Sequence, residues 1–402
     1  MKKALAMILA LAFALALAGC GTSEPLLEGV SPAETGSAED AAALSADFTV
    51  ALFNAAYEGG DSLISPVSVL SALAMAESGA RGETLAQMEE LFGVDAETLR
   101  ASLAAYMSSV AGTEAKLANA IWFRDDGTFE PDAGFLASCA SFAGAEAFAG
   151  KFTDALAGEI NGWVSEHTEG MIDAIVDEID PDAVMYLVNA LSFVADWQEQ
   201  YEEYQMQPAA FYAPEGEREV TMMRSQERSY ISGEGFTGFM KPYEGGRYAF
   251  AALLPDGDSS LEAMLASLTG KALAEALAGA EDTAVDTATP KFTGESSFEF
   301  SGALKAMGMT DAFDGGLADF SGMGQSGAGN IFISRVLHRA FIEVDGLGTR
   351  AGAATAVEAP TASMPPAEDP PEVILDRPFA YMIVDREYNI PLFFGVVTGE
   401  GF

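Results

Sequence analysis

The stretch from Gly348 to Ser363 is composed like a loop and patterned like a strand, and few folds have a use for both. It is rich in Gly, Ala, Thr and Pro, and it leads into Met364-Pro365-Pro366-Ala367-Glu368-Asp369-Pro370-Pro371. Some thirty residues of this kind read as a long surface loop, and loops that long are functional or disordered. Yet Thr349, Ala351, Ala353, Thr355, Val357 and Ala359 share one parity, and all are small or apolar. Both charges, Arg350 and Glu358, fall on the other parity. A permanent loop gains nothing from a period of two, whereas a segment that must at some stage lie in a sheet needs one face that buries without a desolvation cost. The rest of the chain must therefore supply a sheet able to take in a further strand.

A sheet of that kind needs a large core, and the composition provides one. Of 402 residues, 49% are hydrophobic, so the chain is no disordered acidic tail despite 61 Asp+Glu against 20 Lys+Arg and a formal charge of −41. The acidity argues against nucleic acid, an anionic membrane surface or a polyanionic sugar as partner. It leaves a cationic partner, or solubility through self-repulsion. Apolar spacing predicts helices from Leu44 to the Gly59-Gly60 break, over Ser68 to Ser78, Glu83 to Phe92, Glu97 to Val110 and Asp154 to Glu166. Strand patterns come later: Tyr248 to Leu254, Ile331 to Val344, Phe379 to Val384 and Leu392 to Val397. Without strict βα alternation or an internal repeat, the expectation is an α+β fold with one large domain over 43–402.

The N-terminus decides the compartment. Lys2 and Lys3 precede an apolar run too short to span a membrane, followed by Leu17-Ala18-Gly19-Cys20. The small residues ahead of Cys20 resemble the lipobox of bacterial lipoproteins, which implies lipidation of Cys20 after removal of residues 1–20. An ordinary secretory signal cleaved near Ala18 is the alternative. Either way the protein is expected outside the cytoplasm, lipid-anchored or secreted. Residues 21–42 read as a flexible tether rich in Gly, Pro and acids. The other cysteine, Cys139, lies in an apolar stretch and reads as a buried small side chain.

Catalytic chemistry is hard to find. His167 and His338 are the two histidines, and no G-x-S-x-G, H-E-x-x-H or C-x-x-C occurs. Gly322-Met323-Gly324-Gln325-Ser326-Gly327 matches G-x-G-x-x-G but lacks the strand before it and the helix after it, so it reads as a loop. Asp125, Asp126, Glu130 and Asp132 lack EF-hand spacing and read as a solvated turn. His167 is expected at the surface. No cofactor or metal is implied, and the chain is not expected to be an enzyme.

The hinge region Val336 to Val344, followed by Gly348-Thr349 and the alanine run, resembles the serpins, the serine protease inhibitor family. Ile64-Ser65-Pro66-Val67-Ser68, Ala80-Arg81-Gly82-Glu83-Thr84, Asn161-Gly162-Trp163, Leu187-Val188-Asn189-Ala190 through Trp197, Arg377-Pro378-Phe379 and Leu392-Phe393-Phe394-Gly395 are similar to its other motifs, in the right order. The resemblance implies a reactive-centre loop over about 346–376, cut by a target protease and then inserted into a central sheet with the protease trapped as an acyl complex. It implies a hinge at Gly348, Thr349, Arg350, Ala351, Gly352, Ala353, Ala354 and Thr355, a polar shutter at Ser65, Ser68, Asn189 and His338, and a breach at Trp197.

The family's hinge-to-bond distance puts the reactive bond at Ala362-Ser363, preceded by Ala359, Pro360 and Thr361. That bait suits an elastase-like or subtilisin-like protease. Counting back from Pro378-Phe379 points to Ala367 instead, so the loop is about five residues longer on its C-terminal side; Met364 is disfavoured by Pro365. A monomer without heparin-type polyanion activation is implied. Gly346-Leu347 in place of acidic residues, and Arg350 just inside the hinge, depart from the pattern and put insertion speed in question. They support an alternative, a non-inhibitory serpin-fold binding protein.

Overall fold

The computed structural model describes residues 23–27, 37–125, 127, 129–180, 183–257, 259–327, 329–349 and 370–402. Its centre is an eight-stranded mixed sheet. The order is Glu24–Leu27, Glu146–Gly150, Ala115–Arg124, Met185–Phe193, Arg335–Val344, Gly348–Thr349 and Ala195–Asp196, with Phe292–Glu299 also bonded to Arg335–Val344. A six-stranded sheet holds the chain's closing strands Phe379–Asp385 and Ile390–Val397, and a four-stranded sheet includes Gly216–Glu227, Val285–Pro290 and Glu372–Ile374. This is the expected α+β architecture.

Met185–Phe193 is buried at every position, because both its faces are covered. Met185 and Leu187 join a core with Leu73 and Met75 of helix Pro66–Gly79. Tyr186, Val188 and Ala190 join a second core with Trp163 and Val164 of helix Asp154–His167. A strand sandwiched this way needs no polar alternation, which is why none marks it in the sequence. Helix Pro66–Gly79 opens with Pro66 at its first position, where a missing N–H costs nothing.

Several expectations change. Residues 21–42 are no uniform tether: Glu24–Leu27 pairs antiparallel with Glu146–Gly150, and helix Ala38–Ala56 starts inside the range. Leu26 packs on the main core, and Pro25 is tolerated because the strand lies at the sheet's edge. The strand expected from Ile331 begins at Arg335, since the Ile333 N–H donates to the Ala312 carbonyl (2.9 Å) and the Val184 N–H to Ser334 Oγ (3.2 Å). The G-x-G-x-x-G stretch forms the short strand Gly324–Ser326 on Phe129–Pro131, and a Cβ at Gly324 would sit 2.4 Å from the Glu130 carbonyl oxygen. Its glycine serves backbone approach.

His167 is half-buried: its Nε2 lies 3.0 Å from Glu146 Oε1 and its ring stacks on Trp163 at 4.1 Å. Cys139 is buried, 3.6 Å from Ser78 Oγ, and burial pushes its thiol up to about 12, so it is inert at neutral pH.

Candidate functional site

The central sheet has an opening. Met185–Phe193 and Arg335–Val344 run parallel and pair only at their lower ends, Arg335 with Tyr186, Val336 with Leu187 and Leu337 with Val188. At the top, Gly348–Thr349 lies between Ala195–Asp196 and Val344, antiparallel to both, with Thr349 partnering Ala195 and Val344. Between these ends, residues 189–194 and 338–343, six on each side, make no pairing with one another or with any other described residue across the gap. Each flank is bonded on its far side, to Ala115–Arg124 and to Phe292–Glu299, so the unpaired edges point into the opening. Among the described residues nothing bridges the two flanks between the ends of this window, and Gly348–Thr349 sits at the upper one.

The upper end is densely partnered. The turn before the hinge is closed by the Asp345 N–H on the Gly348 carbonyl (3.0 Å) and by Asp345 Oδ1, which accepts from Leu347 N–H (2.8 Å) and Gly348 N–H (3.1 Å). Trp197 donates Nε1–H to the Asp345 carbonyl (2.8 Å) and its backbone N–H to that of Leu347 (2.9 Å), and Tyr201 N–H reaches the Gly346 carbonyl (2.9 Å). Gly346 and Leu347 are thus held by their backbones. A Cβ on Gly348 would lie 2.2 Å from the Ala195 carbonyl oxygen, so glycine is required there by close approach. Trp197 stacks on Tyr243 at 4.4 Å, and the Tyr243 hydroxyl meets Thr349 Oγ1 at 2.5 Å. Beneath them Lys241 and Glu227 form a buried ion pair at 2.8 Å, with the ammonium 4.4 Å from the Tyr201 ring centroid and 5.6 Å from that of Trp197.

At the lower end Ser65 and His338 come together: the Ser65 N–H donates to His338 Nε2 at 3.0 Å. Nε2 is thereby an acceptor, so the neutral ring carries its proton on Nδ1. Complete burial holds the imidazole down to about 3. Asn189 donates Nδ2–H to Asn119 Oδ1 at 2.5 Å, and Asn119 in turn donates to the Ala143 carbonyl at 3.1 Å. Two buried atoms here have no partner among the described residues, Ser65 Oγ and Asn189 Oδ1, and Ser68 Oγ, one turn along helix Pro66–Gly79 from Ser65, is a third. Each such orphan costs about 1–3 kcal/mol.

Ser65, Ser68, Asn189, His338, Gly348, Thr349 and Trp197 therefore all border or adjoin the window. Arg350 to Thr355, Ala359, Pro360, Thr361, Ala362, Ser363 and Cys20 lie outside the described residues. Lys241, Glu227, Tyr243 and Asn119 escaped the sequence reading. Lys241 had a signal, a lone cation inside the buried run Phe239-Met240-Lys241, which demands a buried anion. Among the described residues no cluster of His, Cys, Asp or Glu could hold a metal ion, and no helix is long and apolar enough to cross a membrane.

A family model described as serpin (serine protease inhibitor) matches residues 43–399. The chain belongs to the serpin family. Serpin B6 of Pongo abelii is 32% identical over 349 residues, covering 82% of this chain and 91% of its own. Leukocyte elastase inhibitor A of Mus musculus is 31% identical over 373 residues, covering 87% and 97%. Among solved structures the thermophilic serpin tengpin in its native state, 38% identical, superposes with a TM-score of 0.88 over 94% of this chain and 100% of its own. Tengpin in its latent state gives 0.78, at 39% identity and over 89% and 97%. The same relative thus superposes on this serpin better in its native form than in its latent form. Serpins are protease inhibitors rather than enzymes, and inhibitory relatives such as leukocyte elastase inhibitor A support protease inhibition in general.

Proposed function

We propose that this serpin inhibits serine proteases by suicide insertion: a protease cuts the loop after Ala362, is held as an acyl-enzyme, and is carried along as 350–362 enters the window. The observation that supports it most is the window with Gly348–Thr349 already seated as its first two residues. Continued without a bulge, the pairing of Thr349 with Ala195 and Val344 would place 350–355 at the six positions on each flank. In that register Thr355 arrives between Asn189, whose Oδ1 is orphaned, and His338, which holds the Ser65 N–H. A strand bonded on both sides adds about two ladder hydrogen bonds per residue, so filling the window releases on the order of 10 kcal/mol. Fourteen residues from Thr349 to Ala362, at ~3.3 Å each, would move the protease ~46 Å. The native state is then kinetically held.

Ala359-Pro360-Thr361-Ala362 fits a pocket for small side chains, and the name of leukocyte elastase inhibitor A points the same way. The target is an elastase-like or subtilisin-like protease, met outside the cytoplasm by a monomer anchored through a lipid on Cys20, without polyanion activation. Incubating the domain from Ser23 onward with elastase should give a covalent complex on denaturing gels, together with a large rise in thermal stability once the loop is cut. Cleavage without a complex or a stability gain would falsify the proposal and favour a surface-binding role.

A further inference from the structure

Strand Arg335–Val344 carries three charges on its outward parity, at 335, 339 and 343, and they differ in how they are used. Arg339 is committed: its Nε donates to Glu295 Oε1 (3.2 Å) and its Nη1 to the Ala174 carbonyl (2.7 Å). Glu343 and Arg335, both half-buried, have no hydrogen-bond or ion-pair partner among the described residues.

Stepping along the antiparallel register from Thr349–Val344, loop residue 350 meets 343, 354 meets 339 and 358 meets 335. Stepping from Thr349–Ala195 along the other flank, 358 meets 186, and Arg335 and Tyr186 are already partners. The two flanks therefore assign the same neighbours. Across 350–358 the only charges are Arg350 and Glu358. The cation lands against the unpaired acid Glu343 and the anion against the unpaired base Arg335, while uncharged Ala354 lands against the committed Arg339.

The positions between are not open to charge. Gly352 and Ala356 would face Phe341 and Leu337, which pack in the core with Trp163 of helix Asp154–His167. The outward parity is thus buried in mid-strand, and the two ends are where a charge is tolerated.

The geometry points to a slot that selects its occupant by charge: residues 350–358 of this chain enter with Arg350 against Glu343 and Glu358 against Arg335, and the two pairs fix the register. This rests on the insertion proposed above. Parity alone rejects a one-residue slip, because it would turn Arg350 to the core. A two-residue slip keeps parity, and only the charges reject it, since both pairs are lost and Glu358 falls opposite Leu337 or Ile333.

The test is a charge-reversal cycle with elastase at low ionic strength. Glu343→Arg and Arg335→Glu should leave the melting temperature of the intact protein unchanged. Each should raise the number of inhibitor molecules consumed per trapped protease by roughly threefold, as expected for a cross-strand charge contact turned repulsive. The doubles Glu343→Arg/Arg350→Glu and Arg335→Glu/Glu358→Arg should restore the original stoichiometry, and 1 M salt should shrink all the differences. Single reversals without effect, or doubles no better than the worse single, overturn the charge-selected register while wild-type insertion stands. Wild-type protein that gains no thermal stability on loop cleavage overturns the insertion reading itself, and the register with it.

Discussion

The two ends of the window are opposite solutions to the same packing problem. At the top, Trp197, Tyr201, Tyr243, Lys241, Glu227 and Asp345 are all partnered, and the hinge strand is already in place. At the bottom, the parallel flanks pair over three residues, and Ser65 Oγ and Asn189 Oδ1 there, with Ser68 Oγ one helical turn on, have no partner among the described residues. A closed end and an under-satisfied end, six residues apart, would give the proposed insertion a starting point and a downhill direction. Substitutions should therefore destabilise the native state at the top and spare or stabilise it at the bottom.

The largest effect is expected from Lys241→Met, which leaves Glu227 buried without its cation. Native stability should fall by about 3–5 kcal/mol in denaturant titration, and the double variant Lys241→Met/Glu227→Leu should recover most of it. If the double remains as weak as the single, the pair is not the source of the upper end's stability.

Acid is the next lever. His338 is held down to about 3 when folded, against about 6.5 when unfolded, so the unfolded state takes up the proton first. Its contribution is complete above pH 6.5 and is lost as pH falls toward 3, by up to about 1.4 kcal/mol per unit. Melting temperatures from pH 7 to 4 should drop less steeply in His338→Gln. His167 has the opposite sign: the hydrogen bond it donates to the Glu146 carboxylate raises it, so its contribution is present below pH 6.5 and fades as pH rises through the raised value. Half exposed and screened, it should give the weaker of the two slopes.

Gly348→Ala forces a Cβ onto the Ala195 carbonyl oxygen and should cost about 1–3 kcal/mol, read as a lower melting temperature. Ser68→Ala, at the other end, removes an orphaned hydroxyl and should raise stability by about 1 kcal/mol. A loss on Ser68→Ala would mean that the lower end is better satisfied than its contacts indicate.

Much of this was legible in the chain itself. The hinge parity, the helices from Pro66 to Val110 and the closing strands all follow from local periodicity and turn residues, and the family motifs located His338, Asn189 and Trp197. Met185–Phe193 and Ala115–Arg124 left no periodic trace, because burial on both faces erases the alternation that marks a half-exposed strand. Glu24–Leu27 was hidden by Pro25 and its polar surroundings, since an edge strand of four residues draws its stability from a partner more than a hundred positions away. The window, the orphaned hydroxyls and the Lys241–Glu227 pair are relations between distant segments, and no spacing rule encodes them. Arg350 shows how a residue changes meaning with context: an oddity in a small-residue loop, it becomes a counter-charge to Glu343 in the register proposed above.

The edge strand Glu24–Leu27 also makes the N-terminus a mechanical element. Its four residues are woven into the half of the central sheet that contains Glu146–Gly150, Ala115–Arg124 and Met185–Phe193. That is the half that must part from Arg335–Val344 for a strand to enter. A pull on the chain ahead of Ser23 is therefore transmitted as tension to one lip of the opening and cannot dissipate in slack linker. If the proposed lipid on Cys20 tethers the molecule at that end, the tether would alter how readily the sheet parts, turning a point of attachment into a point of leverage.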